Sequence, residues 1–295
     1  MPSDILFPSL ERVQEILQWR HRRPAQSLER QAHFLPLFAT IPLPPACAGG
    51  PPEDVPLQVF LRLRQGPYSF MLEGVQEAIY RQRFVMMGTE PDEVRTISGT
   101  DPLDTLEPEL AKWNVLTLPE FEVSRTAREE QNEEEEDRLE DYREIPLRSC
   151  GALGYVGYDC VRYFETRSDE SIKKQKDALE IPESVWMFHS LLVAYDFKKS
   201  CCHVISLCPI DVMPEMLEKH YTAAAKRVEE IQDRLNQKGT FCLAADFSEK
   251  KEAVSNVGAD GYKSMVRALK ETILGMSLNL ATLFLFNFYC FQNHH

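Results

Sequence analysis

The stretch GALGYVGYDCVRYFE, residues 151–165, carries the densest pattern in the chain and is called the glycine segment below. Gly151, Gly154 and Gly157 recur at every third position among apolar and aromatic residues. Glycines inside a strand pattern are typical of bends and of close approach by a neighbouring backbone. No lysine follows them, so a phosphate-binding loop is not indicated. The segment therefore predicts a strand in a sheet.

Downstream of this strand the pattern changes from sheet to helix. The apolar runs 186–195 and 201–207 flank the turn residues 196–200 and predict a β-hairpin. The stretch 214–235 predicts a long amphipathic helix, and a second helix is expected near Asp260, a possible N-cap. The apolar stripe of the long helix is formed by Met216, Ala224, Val228, Ile231 and Leu235.

Upstream, the sequence predicts one helix and then several short strands. Ser9 is suited to cap a helix whose apolar face contains Val13 and Ile16, and the basic stretch 20–30 after it is expected to be a loop. The apolar run 34–41 follows, and the Pro- and Gly-rich residues 42–56 interrupt regular structure. Strands are expected at three places, from alternation in the first and apolar runs in the others: 56–64, 68–75 and 84–87.

Composition excludes some classes of function. The formal net charge is -13, whereas nucleic acids and anionic membranes both attract basic surfaces. Cys201, Cys202, His203 and Cys208 form the only cluster that resembles a metal site, but adjacent residues of a strand point to opposite faces. We therefore assign no metal ligands. The absence of a secretory pattern and of C-x-x-C pairs predicts a cytoplasmic protein.

Two segments are expected to lie outside the folded core. Residues 125–143 are dominated by Glu and Asp and predict a flexible surface insertion, with an acidic docking tail as the alternative. Residues 273–291 contain no charged side chain, which suits either a membrane anchor or an aberrant apolar tail. We favour the aberrant tail, because no hydrophilic linker separates the apolar run from the preceding helix.

The glycine segment closely resembles a signature of anthranilate synthase component I, in a form most like the fungal proteins. Weaker matches to the same family stand in the family's order along the chain. They are Pro8–Leu10 with Val13, residues 67–73, residues 181–188, and residues 255–257 and 261–266. The resemblance extends from about Pro8 to Gly275.

This resemblance implies an α+β fold, in which antiparallel β-sheet layers are flanked by helices, left incomplete because the C-terminal half of the family fold is absent. It implies the following division: a lead-in at 1–55, a regulatory domain at 56–210, a connecting helix and linker at 211–257, the start of the chorismate-binding domain at 258–275, and an aberrant tail at 276–295.

The family is a lyase of tryptophan biosynthesis that converts chorismate and ammonia to anthranilate and pyruvate with Mg²⁺. Its catalytic and metal-binding groups lie in the chorismate-binding domain, so the resemblance assigns no catalytic residue here and predicts that this chain alone is inactive. It also implies a glutamine amidotransferase partner, component II, for which Asp159 and Arg162 are candidate contacts. Tyr155 and Tyr158 are expected to be amphipathic wall residues.

Feedback inhibition by tryptophan is the function that the family places in this half. Glu73 falls on the glutamate of the family's Leu-Leu-Glu-Ser inhibitor segment, where a desolvated ammonium needs an acidic partner. Gly74 stands at the serine position and has no side chain with which to form a hydrogen bond. The ordinary alternative for Glu73 is a surface carboxylate at a strand end.

Two other functions remain open at this point. The chain could be a non-catalytic module that senses tryptophan or binds the amidotransferase. It could also derive from a related chorismate enzyme, such as aminodeoxychorismate synthase or salicylate synthase.

Overall fold

The computed structural model describes residues 6–25, 27, 31–45, 47, 51–73, 83–116, 144–146, 150–164, 181–237, 255 and 257–274. Gly74, the acidic insertion at 125–143 and the tail at 276–295 lie outside these residues. The chain divides into two units, Met1–Cys242 and Leu243–His295, which are described separately. Helices and purely antiparallel sheets give the α+β class that the resemblance implies.

Among its described residues, the first unit contains eight strands and five α-helices with defined bounds. The helices are α1 (Leu10–His21), α2 (Val55–Leu63), α3 (Pro102–Leu110), α4 (Val161–Phe164) and α5 (Pro214–Asn236). The strands are β1 (Phe34–Pro42), β2 (Phe70–Leu72), β3 (Phe84–Gly88), β4 (Glu93–Ile97), β5 (Gly151–Val156), β6 (Ser184–His189), β7 (Leu191–Asp196) and β8 (Cys201–Pro209).

A five-stranded sheet in the order β1-β8-β7-β3-β2 carries the main core. Helix α5 packs along β8, as its amphipathic pattern predicts, and Pro214 occupies its first turn, where a missing N–H costs nothing. Its buried stripe begins with Leu217 and Tyr221, whereas Met216 is only half-buried. The Tyr221 hydroxyl donates to the Pro8 carbonyl at 3.1 Å and so connects α5 to the residues before α1.

A three-stranded sheet in the order β4-β6-β5 carries the glycine segment. The apolar run at 186–195 is not one strand of a hairpin, as its pattern suggested. It divides at Ser190 into β6 and β7, which belong to different sheets. Asp92 fixes this break, because its carboxylate accepts hydrogen bonds from the Ser190 backbone N–H at 2.6 Å and hydroxyl at 2.8 Å. The hairpin itself is formed by β7 and β8.

The expected strand at 56–64 is wrong, since these residues form α2. Val55, Val59 and Leu63 are buried four residues apart, a spacing that a helix places on one face. Val59 and Leu63 fit an alternating pattern equally well, which is why the sequence was ambiguous. The basic loop expected from Arg20 is also shifted, because Arg20 is buried in the last turn of α1 and donates to the Ala32 carbonyl at 2.7 Å.

The structure adds β4 and α3, which the sequence pattern did not predict. Asp101 caps α3 by accepting from the Leu103 backbone N–H at 2.9 Å, and Pro102 occupies the first turn. The Asp-Pro pair was a usable helix-start signal. By contrast, the N-cap assignment of Ser9 is confirmed, because its side chain accepts from the Arg12 backbone N–H at 3.3 Å.

The second unit contains helix α6 (Gly258–Leu274). The expected helix is therefore present, but it begins two residues before Asp260, which lies in the first turn and is not the cap. Across the ranges that the structure describes, no helix has the length and apolar character needed to cross a membrane.

Candidate functional site

Strand β5 holds the first half of the glycine segment against the central strand β6. A Cβ atom at Gly154 would lie 2.0 Å from the Val185 carbonyl oxygen, so only glycine permits this approach of the two backbones. At Gly157 a Cβ would lie 3.0 Å from the Glu183 carbonyl oxygen, to which the Gly157 N–H donates at 2.6 Å. The expectation that these glycines serve close backbone packing is thus confirmed at two positions.

The carboxylate of Glu183 organises the second half of the segment. It forms an ion pair with Arg162 and accepts hydrogen bonds from the Tyr163 hydroxyl at 2.7 Å and the Gly99 backbone N–H at 2.9 Å. The Cys160 thiol also approaches the Glu183 carbonyl oxygen at 3.4 Å. Glu183 with Gly99, Cys160, Arg162 and Tyr163 is called the Glu183 cluster, and its contacts hold the second half of the segment in place.

Aromatic and apolar side chains next to the Glu183 cluster are exposed on the surface. Tyr155 donates its hydroxyl to the Pro182 carbonyl at 2.8 Å while 42% of the residue remains exposed, and Tyr158 is 73% exposed. Phe164 and Ile181 are exposed beside them in sequence, and Asp159 is exposed as well. Arg162, in contrast, is committed to Glu183. Of the two candidate partner contacts, Asp159 keeps an accessible charge.

Strand β2 contains the segment expected to bind tryptophan. Glu73 directly follows this edge strand and is exposed, while Gly74 lies outside the described residues. The ring of Phe70 lies over Gly88, where a Cβ would come within 2.2 Å of it. The same ring meets the His189 ring edge to face at 5.1 Å, and His189 pairs with Gly151. The start of β2 thus lies close to the first residue of the glycine segment.

Sequence reasoning missed a buried polar network in the five-stranded sheet. Arg83 donates to both oxygens of Asp196, with the closest contact at 2.6 Å, and also forms an ion pair with Glu144. Asp196 is fully buried and lies 3.4 Å from Nε2 of His203, whose Nδ1 lies 3.0 Å from the Thr40 hydroxyl. The signal was the position of Asp196 at the start of a hairpin turn, where a carboxylate can accept from the N–H groups that follow.

Charge pairing determines the protonation of this network. Burial alone would raise the pKa of Asp196, but hydrogen bonds from Arg83 and from the backbone N–H groups of Lys198 and Lys199 outweigh it and lower the pKa. The hydrogen bond to Asp196 in turn raises the pKa of Arg83. Asp196 is therefore a carboxylate held by fixed donors.

The cysteines of β8 occupy both faces of the strand. Cys201 lies 3.6 Å from His203 Nε2, while Cys202 packs into the main core with Cys208. Burial raises the pKa of Cys208 to about 12 and that of Cys202 as well, so both are protonated thiols at neutral pH. Within the described part of the chain, no group of three or more His, Cys, Asp or Glu residues is placed to hold a metal ion.

Comparisons with known proteins agree with the resemblance. The chain is 30% identical over 280 residues to the probable anthranilate synthase component 1 of Schizosaccharomyces pombe, a match that covers 91% of this chain and 46% of that protein. It is 28% identical over 215 residues to anthranilate synthase component 1 of Saccharomyces cerevisiae, covering 70% of this chain and 36% of that protein. The Pseudomonas putida protein of the same name is 25% identical over 250 residues, covering 79% and 45%.

No family model matches the chain. The chain spans less than half the length of the curated relatives it matches. These matches show that the chain is related, over most of its length, to the anthranilate synthase component 1 proteins of fungi and bacteria.

Proposed function

We propose that this chain supplies the non-catalytic, regulatory part of an anthranilate synthase component I. The supporting observation is the similarity that covers 91% of the chain and includes the glycine segment. The reaction would be the lyase reaction of the family, from chorismate and ammonia to anthranilate and pyruvate. In this proposal the chain binds tryptophan and the partner subunit, while the catalytic residues lie in sequence outside this chain.

The chemistry of the described residues agrees with a positioning role. Glu183 and Asp196 are each engaged by several donors, so neither is a free acid or base. The described residues offer no group of carboxylates for the Mg²⁺ that the resemblance implies, and we derive no step through that ion. What the chain does provide is a segment after β5 whose side chains and backbone are held by Glu183.

Tryptophan is the ligand proposed for the region around Glu73. The carboxylate at the end of β2 is exposed, and a carboxylate can pair with the ammonium of an amino acid. Gly74 contributes no hydroxyl, and the loss of one neutral hydrogen bond costs about 0.5–1.5 kcal/mol, or up to roughly tenfold in affinity. We therefore expect weak tryptophan binding that improves in Gly74→Ser and is lost in Glu73→Gln.

The proposed partner is a glutamine amidotransferase subunit. The exposed surface of Tyr158, Phe164 and Asp159 offers the aromatic anchors that protein interfaces favour. Arg162 is unsuited to a direct contact because its charge is already paired with Glu183.

The test is an anthranilate fluorescence assay of the full 295-residue chain with chorismate, Mg²⁺ and ammonium. We expect no turnover from the chain alone. Turnover should appear when the part of the S. pombe relative that lies beyond the match is co-expressed with it. Turnover by the chain alone would contradict the proposal, and failure of the co-expressed pair, with both partners shown to be folded, would favour the independent binding module.

A further inference from the structure

A cavity of about 340 Å³ lies where the end of β8 meets helix α5. It exists because α5 carries the small residues Ala223 and Ala224 on the side that lines it. Its volume falls at the lower end of the range of about 300–1,000 Å³ that is usual for ligand sites. Neither the glycine segment nor Glu73 contributes to this cavity, which is called the Ser206 cavity below.

One wall of the Ser206 cavity is aromatic and apolar. The rings of Phe34 and Trp113 are stacked, with their centres 5.4 Å apart and their planes inclined by 22°. Leu207 and Pro209 continue this wall along the end of β8. Such a surface favours a flat apolar body of small size.

Arg227 also lines the cavity and contributes a guanidinium group. Arg227 donates one hydrogen bond to the Ser190 hydroxyl at 2.7 Å, and its Nη2 lies 3.7 Å from an oxygen of Asp92. A guanidinium has five N–H donors, so donors remain after the bond to Ser190 and the ion pair with Asp92. Asp92 lines the same cavity, but its carboxylate already accepts two short hydrogen bonds from Ser190 and is paired with Arg227.

Ser206 gives the independent indication of a ligand. Its residue is fully buried, it lines the cavity, and its hydroxyl has no hydrogen-bond partner among the residues that the structure describes. A buried hydroxyl without a partner costs about 1–3 kcal/mol, so such groups call for an explanation. A ligand oxygen in the cavity would accept this hydrogen bond.

We propose that the Ser206 cavity binds a small aromatic carboxylate, with the carboxylate held by Arg227 and the Ser206 hydroxyl and the ring against Trp113 and Phe34. A planar carboxylate matches the fork of the guanidinium, which a neutral group does not. A cation would have to compete with Arg227 for Asp92. The site is separate from the proposed function, and either can fail without the other.

The ligand arm of the test titrates the full chain with benzoate and follows binding by amide chemical shifts or calorimetry. Benzamide and benzylamine serve as the matched neutral and cationic probes. We expect saturable benzoate binding, with benzamide at least tenfold weaker and benzylamine without saturation. Equal binding of benzamide, tighter binding of benzylamine, or no saturation by benzoate at millimolar concentrations would each overturn the proposal.

The protein arm compares substitutions that leave the core intact. Ala223→Phe fills the cavity and should abolish benzoate binding, whereas Thr222→Phe adds the same ring at the adjacent exposed position and should leave binding unchanged. Ser206→Ala should weaken benzoate several-fold without lowering the melting temperature. Unchanged benzoate affinity in folded Ala223→Phe would show that the ligand lies elsewhere and would overturn the proposal.

Discussion

The two sheets of the first unit use the same antiparallel pairing but differ in how deeply they are buried. In the five-stranded sheet, all residues of β8 except its last are buried, and α5 packs along the strand. In the three-stranded sheet, β5 has no buried residue, and its last three residues are exposed. Antiparallel pairing alone therefore does not bury a strand. The side chains of an edge strand stay exposed where no helix or second sheet covers them.

This difference extends to the charged groups of each sheet. Asp196 is buried in the five-stranded sheet, and Arg83 compensates its charge. This ion pair therefore contributes to the free energy of unfolding. Glu183 lies beside the three-stranded sheet with its side chain 19% exposed, and its partners are Arg162 and Tyr163 in α4, after β5, and the Gly99 backbone after β4. We expect changes at Asp196 to affect global unfolding and changes at Glu183 to act mainly on one loop.

Replacing Asp196 with alanine should have the largest effect. It leaves Arg83 and His203 without their buried partner, and breaking a buried pair costs about 3–5 kcal/mol. Because Arg83 keeps Glu144, we expect a loss of about 3 kcal/mol in the free energy of unfolding, measured in urea. Asp159→Ala removes an exposed carboxylate and is the control, expected within about 0.5 kcal/mol of wild type. Equal effects of the two substitutions would contradict the contrast between the sheets.

The Arg83–Asp196 ion pair also makes the stability of the fold depend on pH. The pKa of Asp196 is lower in the folded chain than the usual value of about 3.9 in the unfolded chain. Its stabilisation is therefore complete above about pH 4 and is lost as pH falls through the folded-state pKa. Urea unfolding of wild type should show a steeper loss below pH 4 than unfolding of Asp196→Asn. Parallel curves for the two proteins would exclude this role.

In the three-stranded sheet, Gly154→Ala should have the strongest effect. The new Cβ would collide with the Val185 backbone, which cannot rotate away as a side chain can. Overpacking of this kind costs about 1–3 kcal/mol. Amide hydrogen exchange should show lost protection in β5 and at the paired residues of β6, while β7 and β8 keep theirs. Unchanged protection in β5 would show that the two strands separate without a cost in free energy. Ala152→Ser, at a neighbouring position of β5, is the control.

A smaller and more local effect is expected from Glu183→Gln. The amide keeps the shape of the side chain but loses the ion pair with Arg162, and hydrogen bonds to charged groups contribute about 1.5–3 kcal/mol. Partial exposure reduces this, so we expect about 1 kcal/mol, with faster exchange confined to residues 157–164 and to Gly99. Glu107→Gln, on the exposed side of α3, is the matched control. Faster exchange throughout the five-stranded sheet would contradict a local role.

The contrast between the sheets also marks the limit of prediction from sequence. Helix α5 was predicted because burial on one face dictates its apolar period, and β3 because its first four residues form a short apolar run. Helix α2 was mistaken for a strand because residues four apart satisfy both periods. The break at Ser190 and the Arg83–Asp196 pair depend on residues distant in the chain, Asp92 among them, which no local pattern records. At the glycine segment the close backbone packing at Gly154 and Gly157 was predicted, but the role of Glu183 was not.

The smallest effect, and the sharpest test of the exposed sheet, is expected from Tyr155→Phe. The substitution removes only the hydrogen bond from the hydroxyl to the Pro182 carbonyl, and the group is 42% exposed, so water can replace the lost partner. We expect a loss of about 0.5 kcal/mol in the free energy of unfolding. If β5 serves chiefly as a surface, any binding that depends on the ring at 155 should persist in Tyr155→Phe and be lost in Tyr155→Ala. A stability loss in Tyr155→Phe as large as that in Glu183→Gln would instead mean that the hydroxyl holds the loop, and that the exposed sheet is built around its hydrogen bonds.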